Sequence, residues 1–371
     1  MIVIKEVKTK REIKSFIEFP LKLYKGNPYF VPPLYSDEKA LFKPFSVYSD
    51  QAESVFYLAY KDDKVVGRIH VILQKASNLK WKQERVRFTR FDSIDDQEVA
   101  NALFDRATEW AKEKGMKEIV GPLGFSDLER EGLLIEGFDQ LSTFEEQYNF
   151  PYYQKLIENY GFKKEVDWTE RILKAPAVVD EKLERLSNMM LKRYNLHFGQ
   201  AKNTADFLAK YADAFFEILD KTYDNIYGTV PFTASMKKMM IDNFRLIIDI
   251  KYVAVILDEN EKVVSFGLCF PSIAKAVQKS GGRITIPAIF RLLHAIKHPK
   301  VIDLGLIGVL PEYAMKGVSS AIISKLMSML QNGISYAETN LNLEDNVNIQ
   351  NQWKVFDNVI HKRRRAFVKK I

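Results

Sequence analysis

The stretch Leu304-Gly-Leu-Ile-Gly-Val-Leu-Pro-Glu-Tyr-Ala-Met-Lys-Gly-Val-Ser-Ser-Ala-Ile-Ile323 indicates how the chain folds and where it could bind a ligand. The apolar residues at its start predict a buried strand that ends at Pro311. A short loop then passes through Gly317, and a helix begins at once. Because proline has no N–H to donate to a neighbouring strand, we expect strand pairing to fail at Pro311 and the sheet to splay there.

The start of this helix is a candidate anion site. A helix N-terminus presents unpaired N–H groups and a partial positive charge. Gly317, Ser319 and Ser320 are small enough to let a ligand approach, and Lys316 adds a full positive charge. The stretch alone leaves one alternative open, an ordinary strand-to-helix turn that is capped by serine.

The elements around this stretch occur in the same order in both halves of the chain. Residues 54–73 and 251–270 each predict a β-hairpin, followed by a strand, an amphipathic helix, a further strand and a last helix. A length of 371 residues exceeds what one hydrophobic core usually fills. We therefore predict two domains, residues 1–175 and 176–371, with the boundary in the proline-containing segment 174–179.

The second half resembles the GNAT superfamily of acyl-CoA N-acyltransferases. Their hallmark is a strand that ends in Val-x-Pro-x-x, followed by Arg/Gln-x-x-Gly-x-Gly/Ala at the start of a long helix. Here Val309-Leu-Pro-Glu-Tyr313 fits the first part, and Gly317 matches the central glycine of the second. Ala314 stands where Arg or Gln is usual, and Ser319 stands where Gly or Ala is usual. The resemblance covers about residues 176–371.

The first half resembles a second, degenerate copy of the same fold. Tyr152-Tyr-Gln-Lys-Leu-Ile-Glu-Asn-Tyr-Gly-Phe162 is similar to the Tyr-x-Lys-x-Gly-Phe ending of that fold. Together with Asn27-Pro-Tyr-Phe-Val-Pro-Pro-Leu34 and Gly121-Pro122, it resembles bacterial proteins of two fused GNAT-like halves. The helix that would carry a phosphate loop begins Asp95-Asp-Gln-Glu98, and its three carboxylates would repel a pyrophosphate. Any coenzyme A site is therefore expected in the second half.

The resemblance implies a fold class, a donor and a set of binding residues. The fold class is α/β (α+β), with tandem GNAT-like domains that are each a mixed, mostly antiparallel sheet flanked by helices. The donor is acetyl-CoA or another acyl-CoA, and no metal is implied. The backbone N–H near Leu310 would face the thioester oxygen. The implied cofactor-binding residues are Val309, Leu310, Lys316, Gly317, Val318, Ser319 and Ser320.

Candidate catalytic residues follow from the chemistry of acyl transfer to an amine, which needs a base for the ammonium proton. The predicted strand 334–341 places Glu338 and Asn340 on one face. Glu338 is the candidate base, acting directly or through water, and the alternative is a carboxylate that its neighbours satisfy. Asp303 and Glu312 are further candidates.

The long loop from Gly124 to Phe138 could receive the acceptor. Its acidic residues Asp127, Glu129 and Glu131 would suit a cationic acceptor such as an amine. A solvated acidic loop is the alternative.

Charge and composition exclude several classes of function. The net charge of +7 comes from residues 361–370, whose six lysines and arginines leave 49 basic against 48 acidic residues elsewhere. Nucleic-acid binding is therefore not expected, and the basic tail is predicted to form an edge strand. No apolar stretch approaches the roughly 20 residues of a membrane-spanning helix, and the first residues do not form a secretory signal. The lone Cys269 fits a reducing cytoplasm, where we expect the protein to act.

Three functions remain open at this point. The first is direct transfer of an acyl group from acyl-CoA to a primary amine. The second is a catalytically silent GNAT-like protein that binds a ligand or partner, which the missing Arg or Gln at Ala314 favours. The third is an aminoacyl-tRNA-dependent transferase of the peptidoglycan type, against which the neutral body of the chain argues. The acceptor, the acyl length and the oligomeric state are not determined by the sequence.

Overall fold

One large, mostly antiparallel sheet runs through both halves of the chain in the computed structural model, which describes residues 1–43, 46–178 and 181–371. Val179, at the end of the predicted boundary segment, lies outside these ranges. The strands are β1 (Ile2–Glu6), β2 (Ala52–Lys61), β3 (Lys64–Gln74), β4 (Arg85–Ser93), β5 (Glu118–Gly121), β6 (Leu133–Glu136), β7 (Lys163–Lys174), β8 (His197–Phe198), β9 (Val253–Leu257), β10 (Val263–Pro271), β11 (Val301–Val309), β12 (Tyr336–Thr339), β13 (Asn342–Leu343) and β14 (Asp357–Lys370).

Helices flank this sheet. They are α1 (Lys10–Leu23), α2 (Tyr35–Ala40), α3 (Lys75–Trp81), α4 (Gln97–Glu113), α5 (Tyr152–Asn159), α6 (Lys182–Arg193), α7 (Thr204–Thr222), α8 (Ala234–Ile247), α9 (Ala274–Ser280), α10 (Ile286–Lys297), α11 (Pro311–Ala314), α12 (Ser319–Gln331) and α13 (Val347–Gln352). The strand order is β1-β2-β3-β4-β5-β14-β7-β12-β11-β10-β9-β8, with β6 beside β14 and β13 beside β7. Because β4–β5 and β11–β12 are parallel and the other pairs antiparallel, the predicted α/β class with a mixed sheet is confirmed.

The last strand of the chain joins the two halves. β14 lies between β5 and β7 and pairs with β7 from Asp357 opposite Lys174 to Val368 opposite Lys163. On its other side β7 pairs with β12 of the second half. The prediction that the basic tail forms an edge strand is therefore wrong, because strands lie on both sides of β14. The boundary near residue 175 stays a prediction, and the sheet is continuous across it.

Each half packs one long helix against its sheet at a glycine. A Cβ atom at Gly67 of β3 would lie 2.9 Å from Leu103 Cδ1 of α4. In the second half, a Cβ atom at Gly267 of β10 would lie 2.5 Å from Ile322 Cγ2 of α12. Only glycine allows this close approach of helix and strand, so the two glycines set the position of the helices. The position of α12 matters because its first residues form the candidate anion site.

The Gly267→Ala variant tests this packing. The added methyl group overlaps Ile322, and we expect the free energy of unfolding to fall by about 1–3 kcal/mol. Urea unfolding of Gly267→Ala, Ile322→Ala and the double variant measures the coupling between the two positions. The double variant should lose less stability than the sum of the two single losses, and simple additivity would show that the two residues do not meet.

Candidate functional site

An opening in the sheet lies between β11 and β12. The two strands pair from Val301 opposite Tyr336 to Leu304 opposite Thr339 and then separate. β11 continues to Val309 paired with β10 alone, whereas the chain after β12 turns away to form β13 beside β7. The edge of β11 over residues 305–309 is therefore open. The sequence predicted that the strands separate at Pro311. They separate earlier along β11, because β12 ends at Thr339.

The backbone amide that faces the opening belongs to Val309. Neighbouring residues of a strand direct their N–H groups to opposite edges. The Leu310 N–H donates to Val264 O of β10 at 2.9 Å, so the expectation that this amide faces a thioester is wrong. The Val309 N–H points the other way, into the opening. The Ile307 carbonyl lies on the same edge, where it accepts a hydrogen bond from the Tyr223 hydroxyl at 3.1 Å.

The start of α12 presents free amides next to this opening. The backbone N–H of Ser320 donates to Gly317 O at 3.0 Å. Within the described residues, the amides of Gly317, Val318 and Ser319 donate to no backbone or side-chain acceptor. Gly317 has a φ of +71°, a conformation that favours glycine and lets three successive N–H groups converge.

Side chains around these amides add positive charge and a further donor. Lys316 Nζ lies 4.2 Å from the centre of the Tyr313 ring and 5.2 Å from that of Tyr194, so two aromatic rings hold the ammonium beside the loop. The Ser320 Oγ is buried without a hydrogen-bond partner among the described residues. Met190 of α6 packs against Gly317, since a Cβ atom there would lie 3.5 Å from Met190 Cε.

Among the residues that the structure describes, the first half shows neither an open strand edge nor free amides at the start of its long helix. Asp96 caps the N-terminus of α4. Its carboxylate accepts a hydrogen bond from Glu98 N at 3.0 Å and pairs with Lys61 Nζ at 2.9 Å. Beyond the parallel pairs of β4 and β5, the Leu123 N–H still donates to Phe88 O at 2.8 Å. An anion would meet the Asp96 carboxylate at α4 and free amides at α12. This geometry agrees with the expectation that a phosphate site lies in the second half.

A row of buried charges crosses the sheet beside the opening. Asp303 stands opposite Glu338 on neighbouring strands, and Lys362 stands opposite Glu170 in the β14–β7 pair. Lys362 Nζ lies 3.1 Å from Glu170 Oε2 and also bonds to Glu338. Arg364 Nε lies 2.6 Å from the other oxygen of Glu170. Burying these charges requires such pairing, because each would otherwise lose its hydration without compensation.

Three residues of this row are close enough to hold a metal ion. Glu170, Glu338 and His361 each offer a ligand atom within 4.8 Å of the others. The Lys362 ammonium bonds to both carboxylates, so a metal ion at this point would have to displace a buried cation. His361 Nε2 lies 3.2 Å from Glu338 Oε1 without the geometry of a hydrogen bond. The donor set therefore fits an ion-pair cluster better than a metal site.

Glu145, and Asp303 of this row, are carboxyl groups with raised pKa values. Asn340 Nδ2 donates to Glu145 Oε2 at 3.1 Å. Burial raises the pKa of Glu145 to about 7, although the charge of Arg130 opposes the shift. Burial and the charges of Glu338 and Glu145 hold the pKa of Asp303 well above its usual range. Asp303 Oδ1 is buried and accepts no hydrogen bond from the described residues. The site thus contains one carboxyl group, Glu145, whose pKa of about 7 lets it exchange a proton near neutral pH, beside Asp303, whose pKa is also raised.

Glu145 is the residue that sequence reasoning missed. It comes from the first half, 195 positions before Asn340, and lies outside every helix and strand. A local pattern gives no signal for a side chain whose position depends on the pairing of two distant segments. The adjacent acidic pair Glu145-Glu146 just after the predicted acidic loop was the one available hint.

The acidic loop of the first half borders the opening from the other side. A Cβ atom at Gly228 would lie 3.7 Å from Glu131 Oε2 and 4.0 Å from Asp127 Cβ. Burial raises the pKa of Asp127 to about 6 and that of Glu131 well above its usual range. Burial, with a smaller contribution from the Asp127 carboxylate, raises the pKa of Tyr223, the residue that contacts the open edge of β11, to about 12. Glu129 accepts a hydrogen bond from Phe125 N at 3.2 Å, which fixes the turn of the loop.

Replacing Lys362 by methionine tests the buried charge row. The substitution leaves the Glu338 carboxylate buried without its cation, so the free energy of unfolding at neutral pH should fall by about 3–5 kcal/mol. Lys163→Met, an exposed lysine on β7, serves as the control and should change stability by less than about 0.5 kcal/mol. The double variant Lys362→Met/Glu338→Gln should recover part of the loss, and a further loss would contradict the pairing.

The raised pKa of Glu145 predicts how stability depends on pH. A carboxyl group whose pKa rises from 4.5 to about 7 on folding binds its proton more tightly in the native state. Stability should therefore increase as the pH falls from about 7.5 to 5, with about 2 kcal/mol from this group. Urea unfolding of Glu145→Gln should show a smaller increase, while the exposed Glu158→Gln should behave as the parent. An unchanged increase in Glu145→Gln would contradict the assignment.

Comparisons with known proteins give relatives by sequence and by structure. No protein-family model matches the chain. Protein YghO of Escherichia coli (strain K12) is 26% identical over 377 residues, which cover 98% of this chain and 94% of that protein. Bacterial ceramide synthase of Caulobacter vibrioides (strain NA1000 / CB15N) is 25% identical over 302 residues, which cover 78% and 75%.

Two solved structures share the fold at low sequence identity. One is a tandem GNAT protein from the clavulanic acid biosynthesis pathway, with a TM-score of 0.58, 10% identity and coverage of 100% of this chain and 98% of that chain. The other contains a GCN5-related glucosamine N-acetyltransferase region of a fungal multi-domain enzyme, with a TM-score of 0.58 and 11% identity, and the match covers 100% of this chain and 38% of that chain. The chain therefore has the fold of two GNAT-like halves in tandem, as the sequence resemblance predicted.

Proposed function

We propose that this chain is an acyl-CoA-dependent N-acyltransferase that transfers the acyl group directly to a primary amine. One observation carries the proposal. The open edge of β11 runs from the free amides of α12 toward Asn340 and Glu145, a carboxyl group whose pKa is raised to about 7. An anion site, an extended slot and a proton acceptor in that order are what acyl transfer from coenzyme A to an amine requires.

The donor is proposed to bind along β11. Its pyrophosphate would meet the amides of Gly317, Val318 and Ser319, with the Lys316 ammonium and the Ser320 hydroxyl beside them. The pantetheine arm carries amide groups and would pair with the open strand edge as an added strand does. Val309 N–H would then donate to the pantetheine arm near its pyrophosphate end, and the thioester would lie farther along the edge, toward Gly305 and Asn340. Leu310 keeps a packing role, because its side chain is buried in the core.

The carboxyl groups supply the proton chemistry. The amine arrives as an ammonium ion and must lose a proton before its nitrogen can attack the thioester carbon. Glu145 has a pKa near the operating pH and is held by Asn340, so it is the proposed base. The new C–N bond forms as the C–S bond breaks, and the coenzyme A thiolate then takes up a proton. Glu338, paired with Lys362, is proposed to set the charge around Asp303 and Glu145 instead of accepting the proton itself.

The acceptor is proposed to enter beside the acidic loop. Asp127, with a pKa of about 6, would be largely ionised at neutral pH and would attract an ammonium ion, and Glu131 lies in the same loop. Similarity to bacterial ceramide synthase supports an amine acceptor. A ceramide contains an amide bond between a fatty acyl group and a long-chain amino alcohol. This relative therefore also favours a long-chain acceptor or acyl group over a small one.

Calorimetric titration with acetyl-CoA and with a long-chain acyl-CoA tests the donor site. Gly317→Glu puts a carboxylate among the free amides, so we expect it to weaken binding roughly tenfold or more. Gly333→Glu is the matched control at the other end of α12. Gly333 also has a positive φ, +103°, and open space around it, so its variant carries at least as much backbone strain as Gly317→Glu.

The control should bind as the parent does. No binding of either acyl-CoA or of free coenzyme A to the parent would overturn the proposal and leave the silent, ligand-binding alternative. Equal weakening in the two variants would show that strain, and not the anion site, controls binding.

A further inference from the structure

Helix α10 presents an apolar stripe to solvent. The stripe has the i, i+3, i+4, i+7 spacing of one helix face, and Ile284 extends it before the helix begins. Ile286 is 74% exposed and Phe290 69% exposed. We call this set the α10 surface; its residues are Ile284, Ile286, Ile289, Phe290 and Leu293.

The opposite face of α10 already anchors the helix to the protein. Ala288 is fully buried, and Leu292 and Ile296 pack against a core cluster that contains Val31 and Val277. The helix therefore has two apolar faces, and one of them packs against the core. Folding does not require the outer stripe, and an exposed apolar patch of this kind marks an interaction surface.

The charge around the α10 surface has one sign. Residues 271–302 contain six lysines and arginines and no aspartate or glutamate. Lys275, Lys279, Lys297 and Lys300 are exposed and form no ion pair with the residues that the structure describes. Arg283 differs, since it pairs with Glu18 of the first half at 3.0 Å. The segment that carries the apolar stripe thus also carries four exposed lysines that form no ion pair within the described residues.

We infer that the α10 surface docks on an anionic lipid bilayer, with α10 lying in the plane of the membrane interface. An apolar helix face flanked by lysine buries its side chains between the headgroups while the lysines meet lipid phosphate. A second copy of the chain is a poorer occupant, because association would bring two basic segments together. No described helix is long and apolar enough to cross a membrane.

Neighbouring elements extend the same side of the molecule. Ile247 at the end of α8 belongs to the cluster beneath α10, and the adjacent Leu246 is 72% exposed. On another face of α8, Phe244 and Ile248 line a narrow apolar slot against α7. Docking through α10 would therefore bring this slot close to the lipid. The inference goes beyond the proposed acyl transfer and does not depend on it.

Flotation with lipid vesicles tests the inference. The parent should bind vesicles that contain about 30% phosphatidylglycerol, bind phosphatidylcholine vesicles at least about tenfold more weakly, and lose binding as salt rises. Phe290→Ser/Leu293→Ser removes apolar contact, and Lys297→Glu/Lys300→Glu reverses two charges of the same segment. Each should lower the partition coefficient about tenfold or more.

Matched controls lie elsewhere on the surface. Leu79→Ser removes an apolar side chain that is 83% exposed on α3, and Lys155→Glu/Lys325→Glu reverses two exposed lysines away from α10. Both should bind as the parent does, as should Gly317→Glu, which separates this inference from the donor site. The inference is overturned if the parent binds no vesicle, or if the α10 variants bind like their controls. It is also overturned if sedimentation shows a dimer that Phe290→Ser/Leu293→Ser dissociates.

Discussion

The pairing of β14 with β7 is the contact on which the rest of the molecule depends. It places the end of the chain inside the sheet of the first half, so that neither half has a complete sheet without the other. It also buries Lys362 and Arg364 between strands, where a cation is tolerated only beside an anion. Glu170 on β7 and Glu338 on β12 meet this requirement. The charge row beside the opening is therefore a consequence of the strand order.

The same strand order explains why the proposed site draws residues from both halves. The loop and β6 of the first half lie on β14, and no Cβ atom would fit at Gly137 against the backbone of His361. This contact brings Glu145 to Asn340 at the end of β12. The second half provides the open edge of β11 and the free amides of α12. The first half contributes Glu145, the base in the proposed mechanism.

Local patterns in the sequence predicted much of the fold. The apolar run at Val301–Val309, the helix at Ser319–Gln331 and the two hairpins were recognisable because each depends on neighbouring residues. Three features could not be recognised from the sequence: the opening after Leu304, the central position of β14 and the proposed role of Glu145. Each depends on which distant segments pair, and the alternating charges of β14 are as compatible with an exposed edge as with a buried ion-pair row. Asp127 and Glu131 were named from the sequence, but their burial was not foreseen.

A crystal structure with bound coenzyme A is the most direct test of the claim that the donor lies between β11 and β12. Our account predicts the pyrophosphate at the amides of Gly317, Val318 and Ser319, and the pantetheine arm along residues 305–309. The sulfur atom should lie toward Gly305, at the end of the opening where Glu145 meets Asn340. Coenzyme A bound at another place on the molecule, with the β11 edge free, would contradict the account.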